Sequence, residues 1–92
     1  MSAYVVVEAT VRDPEARDRY GAQASVVLKQ FGAEVVTFGS WQLLSGDPGH
    51  DIGMIIRFPD KDTALAWYNS RAYQALLDIR EAALDSRFRI VG

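Results

Sequence analysis

The residues Ala3 to Val11 alternate, and the alternation is one-sided. Val5, Val7, Ala9 and Val11 fall on one side and are all apolar, while Tyr4, Val6, Glu8 and Thr10 on the other are mixed. A segment with period two and one wholly apolar side reads as a strand in a sheet buried on one face only. Ile52 to Phe58 repeats the pattern, with Ile52, Met54, Ile56 and Phe58 set against Gly53, Ile55 and Arg57. Arg87 to Val91 repeats it again, with Phe88 and Ile90 on one side and Arg87, Arg89 and Val91 on the other. The chain must therefore cover one sheet face with its helices and leave the other to something else.

The helices announce themselves between these strands. Asp13-Pro14-Glu15 combines an N-cap aspartate, a proline suited to the first helical position and a carboxylate near the positive end of the dipole. Ala16, Tyr20, Ala24, Val27, Leu28 and Phe31 follow at spacings of three or four and make an apolar stripe. Gly32 is placed to end that helix. Ala33 to Leu44 has extended character, and Gly39-Ser40 within it suggests a bulge. Ser45 to Asp51 is a polar, turn-rich loop. Pro59 stops the next strand, and Asp60 caps a helix through Tyr68. Asn69-Ser70 reads as a break, with Ser70 capping a second segment to about Leu84 that carries Tyr73, Leu76, Leu77, Arg80 and Ala83 at helical spacing.

The resulting order is β-α-β-β-α-β in 92 residues. That order is the split βαβ, ferredoxin-like plan: an α+β domain spanning residues 1–92, with a four-stranded antiparallel sheet and two helices on one face. The other face is expected to carry Tyr4, Val6, Glu8, Thr10, Val36, Phe38, Ile55, Arg57, Arg87 and Arg89. This surface is too apolar to stay wholly wet and too charged for a dry core. A second copy stacking its own sheet there would cover it and leave a partly polar cavity between the sheets. The first and third strands are neighbours in this plan, so Glu8 and Arg57 are expected to pair across them.

Composition removes several classes of function. Ten basic residues against twelve acidic give a net charge of −2, which leaves no basic excess for a nucleic-acid backbone. There are no cysteines, so disulfides, thiolate nucleophiles and cysteine-held zinc or iron–sulfur sites are excluded. The stretch from Met1 to Glu8 has no positive start and an apolar run far too short to span a bilayer, so a cytoplasmic protein is expected. No P-loop, GxGxxG, GxSxG or HExxH motif is present, and no cofactor is expected. Asp60 and Asp62 sit in a first helical turn and read as dipole charges rather than a metal pair.

Three stretches together resemble a bacterial family. They are Tyr4-Val5-Val6-Val7-Glu8, Val11-Arg12-Asp13-Pro14-Glu15, and the run from Phe58-Pro59 through Trp67-Tyr68-Asn69-Ser70 to Tyr73-Gln74. The family is the domain-of-unknown-function family numbered thirteen-thirty, and the resemblance covers the whole chain. It implies a ferredoxin-like protomer that assembles as a dimeric α/β barrel. The wider superfamily includes cofactor-independent oxygenases, isomerases, haem enzymes and ligand-sensing domains. Three places depart from the family pattern. Gly32-Ala33 stands where a Gly-Gly pair is usual, Phe38 stands at the position of an arginine, and the loop from Gly46 to Asp51 lacks a Trp-Pro.

The candidate ligand-binding residues are Glu8, Phe38, Trp41, His50 and Arg57. Glu8 held by Arg57 suits anchoring better than proton abstraction, because a neighbouring cation favours the ionised carboxylate. Phe38 and Trp41 suit an aromatic lip, or else packing against a second copy. His50, the only histidine, is the one group that titrates near neutrality, but its Gly/Pro/Asp loop also suits a solvated side chain. Trp67, Tyr68 and Tyr73 read as packing around the helix break. Three functions fit: a homodimer binding a small apolar or weakly acidic molecule, a cofactor-independent oxygenase or isomerase acting on such a molecule, or a structural dimer. The scarcity of convergent polar groups favours the binder.

Overall fold

The computed structural model describes residues 1–92. Strand β1 (Ala3–Val11) leads through Asp13 into helix α1 (Pro14–Gln30), followed by strands β2 (Glu34–Ser40) and β3 (Ile52–Phe58). Helices α2 (Lys61–Asn69), α3 (Arg71–Gln74) and α4 (Leu77–Ala83) come next, and β4 (Leu84–Val91) closes the chain. The sheet has four strands in the order β2-β3-β1-β4, all antiparallel. This is the ferredoxin-like α+β architecture that the element order implied.

The local signals act as their chemistry requires. Asp13 accepts hydrogen bonds from the Glu15 and Ala16 amides at the start of α1. Gly32, just past the end of α1, adopts φ +66°, a region that a side chain rarely tolerates. Asp60 accepts from the Thr63 amide at 2.7 Å. At the break, the Ser70 hydroxyl donates to the Trp67 carbonyl at 2.7 Å and accepts from the Tyr73 amide at 3.1 Å. One side chain thus ends α2 and starts α3. The segment after Ser70 is two helical pieces rather than one, and β4 begins three residues earlier than its alternation suggested.

The apolar sides of the strands meet the helices. Val5, Val7, Ile56 and Phe58 join Ala24, Val27, Leu28, Ala64, Trp67, Tyr73 and Leu76 in one buried cluster. A smaller cluster of Ala9, Ala16, Ala83 and Leu84 extends it at the other end. Aromatic rings carry much of the packing: Phe58 and Trp67 stand 5.2 Å apart between centroids, and Trp67 and Tyr73 stand 4.5 Å apart. On the opposite face no chain segment of comparable size lies over the sheet, and the molecule is only 17 Å through its thinnest direction.

Strand β2 differs from expectation in a way that matters for the site. The bulge lies at Val36, where the register shifts between Val35 and Thr37, and not at Gly39-Ser40. An extra residue there inverts the alternation of everything after it. Phe38 consequently pairs with Met54 and lies on the helix side, not on the open face. Every residue of β2 is exposed, because α1 packs toward α4 and leaves this edge of the helix-side face uncovered.

Phe58 is fully buried and sits against Trp67. Truncating it should cost about 3–5 kcal/mol, a large share of the roughly 5–14 kcal/mol available to a chain of this size. Urea unfolding of Phe58→Ala is expected to show that loss. A change below about 1 kcal/mol would place the core elsewhere.

Candidate functional site

The open face of the sheet carries a polar cluster built on β1 and β4. Glu8 faces Arg87 directly across the strands, and Arg89 lies on the diagonal. Arg87 Nη2 donates to Glu8 Oε2 at 2.8 Å, and Arg89 Nη2 donates to Glu8 Oε1. The Glu8 side chain is only 13% exposed, whereas both arginines are more than half exposed. The Arg87 hydrogen bond holds the Glu8 carboxyl below the usual carboxylate range. Partial desolvation opposes this, and the charges of Arg87, Arg89 and His50 reinforce it.

The loop between β2 and β3 folds back onto this cluster. His50 Nδ1 and Thr10 Oγ1 are hydrogen-bonded at 3.1 Å. Gly49, at φ +65°, brings its backbone beside Glu8 and Arg87. Gly53 lies opposite Glu8, and the Trp41 indole occupies the space where a side chain at 53 would stand: a Cβ there would come within 2.2 Å of the ring. His50 is thus not a freely solvated loop residue. It is half-buried on the sheet, near Glu8.

Two of the five candidate residues lie away from this cluster. Arg57 does not pair with Glu8. Tyr4 opposes Arg57 and Gly53 opposes Glu8, so the two charges sit four residues apart along the ladder, roughly 13 Å. Arg57 instead faces Glu34 across β3 and β2 and forms an exposed ion pair with it. Phe38 is 72% exposed on the opposite side of the sheet from Trp41, so the two do not form one aromatic lip.

Phe38 borders a different feature, a cavity of about 710 Å³ between α1 and the sheet. Val7, Ile52, Met54 and Ile56 form its floor, Ala24 and Leu28 of α1 its roof, and Trp67 and Phe88 part of its wall. Arg17, Asp18 and Lys29 stand at its exposed edge. Gly21 of α1 also borders it, and no atom lies within 4 Å of where its Cβ would be. Glycine within a helix costs roughly 0.5–1 kcal/mol relative to alanine, and here it keeps the side of the cavity open.

A buried polar chain runs from the cavity wall into the core. The Tyr20 and Tyr73 hydroxyls are 2.6 Å apart. Arg80 Nη1 donates to Tyr73 Oη at 3.2 Å and to Tyr68 Oη at 3.0 Å, and its guanidinium lies 4.7 Å from the Phe88 ring centroid. Burial pushes the Tyr20 hydroxyl far up, and Tyr73 reinforces the shift. Burial also raises Tyr73, against the hydrogen bonds from Tyr20 and Arg80. Both phenols are therefore neutral hydroxyls at physiological pH and cannot act as bases. By sequence, Tyr73 and Trp67 read as packing, and Tyr20 and Arg80 are only members of helical stripes. The available signal was an arginine set among Tyr73, Leu76, Leu77 and Ala83 in an otherwise apolar stripe. No group of three His, Cys, Asp or Glu side chains is placed to hold a metal, and no helix is long and apolar enough to cross a membrane.

Comparison with known proteins fixes the family. Residues 2–92 match the model of a domain of unknown function, DUF1330. The chain belongs to that family. No curated protein matches it significantly in sequence. Among solved structures it is similar to a protein of unknown function from Rhodopseudomonas palustris, with TM-score 0.78 and 23% identity over 98% of this chain and 80% of that one. It is also similar to SnoaB, a cofactor-independent oxygenase from Streptomyces nogalater, with TM-score 0.72 and 13% identity over 99% of this chain and 91% of that one. A third similar structure is a dimeric ferredoxin-like protein of unknown function from Thermobifida fusca, with TM-score 0.66 and 15% identity over 100% of this chain and 91% of that one. At these identities the likeness is one of fold.

Two outcomes test the open-face geometry. A carboxyl held low in the folded state stabilises the protein above its unfolded value of 4.5, and that contribution is lost as pH falls through the lower folded value. The melting temperature should therefore fall on acidification below about pH 4.5 more steeply in the native protein than in Glu8→Gln. Equal slopes would show that the two arginines do not hold Glu8. Separately, Gly53→Ala should eject Trp41 from the sheet, seen as stronger acrylamide quenching of its fluorescence. Unchanged quenching would mean that Trp41 does not rest there.

Proposed function

We propose that this protein is a homodimer that binds a small apolar molecule in the cavity between α1 and the sheet. The cavity carries the reading. Its volume of about 710 Å³ lies within the range typical of ligand pockets, roughly 300–1,000 Å³. Its lining is mostly apolar, with Tyr20 as a polar group at one wall. A helix that merely completed a core would close over Ile52 and Met54, whereas both stay partly exposed and α1 carries Gly21 at the gap. The expectation from the sequence is a cavity between two stacked sheets. The one proposed here lies within a single protomer, so the dimer contact need not be wet for a ligand to bind.

The open face supports the dimer. Val6, Tyr4 and Ile55 are half-exposed there beside charges that are already paired within the chain, Glu8 with two arginines and Arg57 with Glu34. Paired charges can be covered without leaving a lone ion buried, which would otherwise oppose association. Glu8, Trp41 and His50 would then lie at the contact between the copies. The Thermobifida fusca protein, similar in fold, is described as dimeric.

The chemistry of the cavity favours binding over catalysis. SnoaB is described as a cofactor-independent oxygenase, but the walls of this cavity offer no imidazole. The one carboxylate, Asp18, is exposed at the edge and paired with Arg17 at 3.2 Å. Proton abstraction from a bound molecule would need a base within reach.

Gly21→Leu separates ligand binding from folding. Leucine is a good helix former, so stability should be unchanged or rise by up to about 1 kcal/mol. Binding of naphthalene as a probe, measured by equilibrium dialysis, should weaken at least tenfold as the side chain fills the gap. Undiminished binding would place the ligand elsewhere. Sedimentation equilibrium at micromolar concentration should return twice the 10.2 kDa chain mass, and the mass of one chain would remove the dimer.

A further inference from the structure

We propose that the open face takes up an oxyanion on Arg87 and Arg89, a free sulfate, phosphate or carboxylate group, and that a second copy covering the face encloses it. The proposal rests on the reading that the copies meet through the open face, and it adds the counter-ion that the contact holds.

The first observation is charge. Glu8 is one carboxylate shared by two guanidinium groups, and no other acidic side chain is in ion-pair contact with either. The neighbouring pairs balance without them. Asp85, which opposes Thr10, pairs with Arg12 at 3.8 Å, and Glu34 pairs with Arg57. The Glu8 cluster thus carries one positive charge in excess, on a chain whose net charge is −2. Its pairing spares each ion a lone burial but does not neutralise the group. Covering an unbalanced charge opposes association, and an anion taken up at the same moment removes that opposition.

The second observation is geometry. Arg87 and Arg89 each give Glu8 one Nη2 donor and make no other hydrogen bond. A guanidinium presents five N–H donors in a planar fork, so most of them stay free. They are also within reach of solvent, since both side chains are more than half exposed. Glu8, only 13% exposed, anchors the two from below, with Arg87 directly opposite and Arg89 on the diagonal. The shared carboxylate therefore pre-organises the arginines without saturating them, which lowers the entropy lost when a guest binds. Two forks side by side match the oxygens of a sulfate, phosphate or carboxylate, and match a spherical halide poorly. His50 stands beside the same carboxylate, with Nδ1 engaged by Thr10.

Sulfate is the probe. Sedimentation equilibrium is run at neutral pH in sodium chloride and in sodium sulfate of equal ionic strength. The native protein should dimerise at least about tenfold more tightly in sulfate. Arg89→Gln leaves Arg87 and Glu8 as a balanced pair, so its dimer should differ by less than about threefold between the two salts. Arg87→Gln should behave likewise. A native dimer equally tight in both salts would overturn the oxyanion proposal and leave the dimer in place. A monomer in both salts would overturn both. A sulfate response that persists in both variants would show sulfate acting by general exclusion from the protein surface, and would overturn the assignment to these arginines. Variants that no longer dimerise in either salt would show the arginines bonding the second copy directly, and would overturn it too.

Discussion

The pairing of β1 with two neighbours governs the rest of the structure. It is bonded along nearly its whole length on both sides, to β3 and to β4. Its alternation therefore fixes which side of three strands faces the helices. Val5 and Val7 turn inward and draw Ile56, Met54, Phe88 and Ile90 with them, because cross-strand partners share a face. Glu8, on the other side, is brought against Arg87 for the same reason. A slip of one residue would bury the carboxylate among the helices and expose the valines.

Much of this was legible in the sequence, and what was not has identifiable causes. Asp13-Pro14, Gly32, Asp60 and Ser70 are local devices whose partners lie within three residues, so their roles could be read directly. The wholly apolar sides of β1 and β3 sufficed to assign the covered face. The Glu8 partner could not be read in this way. That β1 and β3 are neighbours follows from the fold plan, but their register does not, and a four-residue offset separates Glu8 from Arg57. The bulge at Val36 was equally hidden. A valine among extended residues gives no sign of being the extra one, whereas glycine and serine nearby do, and misplacing it sent Phe38 to the wrong face.

The cavity was hidden for a different reason. Apolar periodicity reports which residues turn inward, not whether the elements that carry them come into contact. Ile52 and Met54 are apolar because they lie on the helix side, and the gap before them depends on where α1 is drawn. Ala16 and Ala83, small and buried, let α1 approach the α4–β4 end closely and tilt the layer away from β2. The polar side chains near the gap share this character. Tyr20, Tyr73 and Arg80 occupy positions that helical spacing assigns to the core, and their hydroxyl and guanidinium groups find one another there.

On the proposed function, a small apolar molecule binds on the helix side of the sheet and not on its open face. Methyl chemical-shift mapping during a naphthalene titration tests it most directly, because the two faces carry different reporters on the same strands. Val7, Met54 and Ile56 are expected to shift together with Leu28 of α1. Shifts confined to Val6 and Ile55, with the helix-side methyls still, would contradict it.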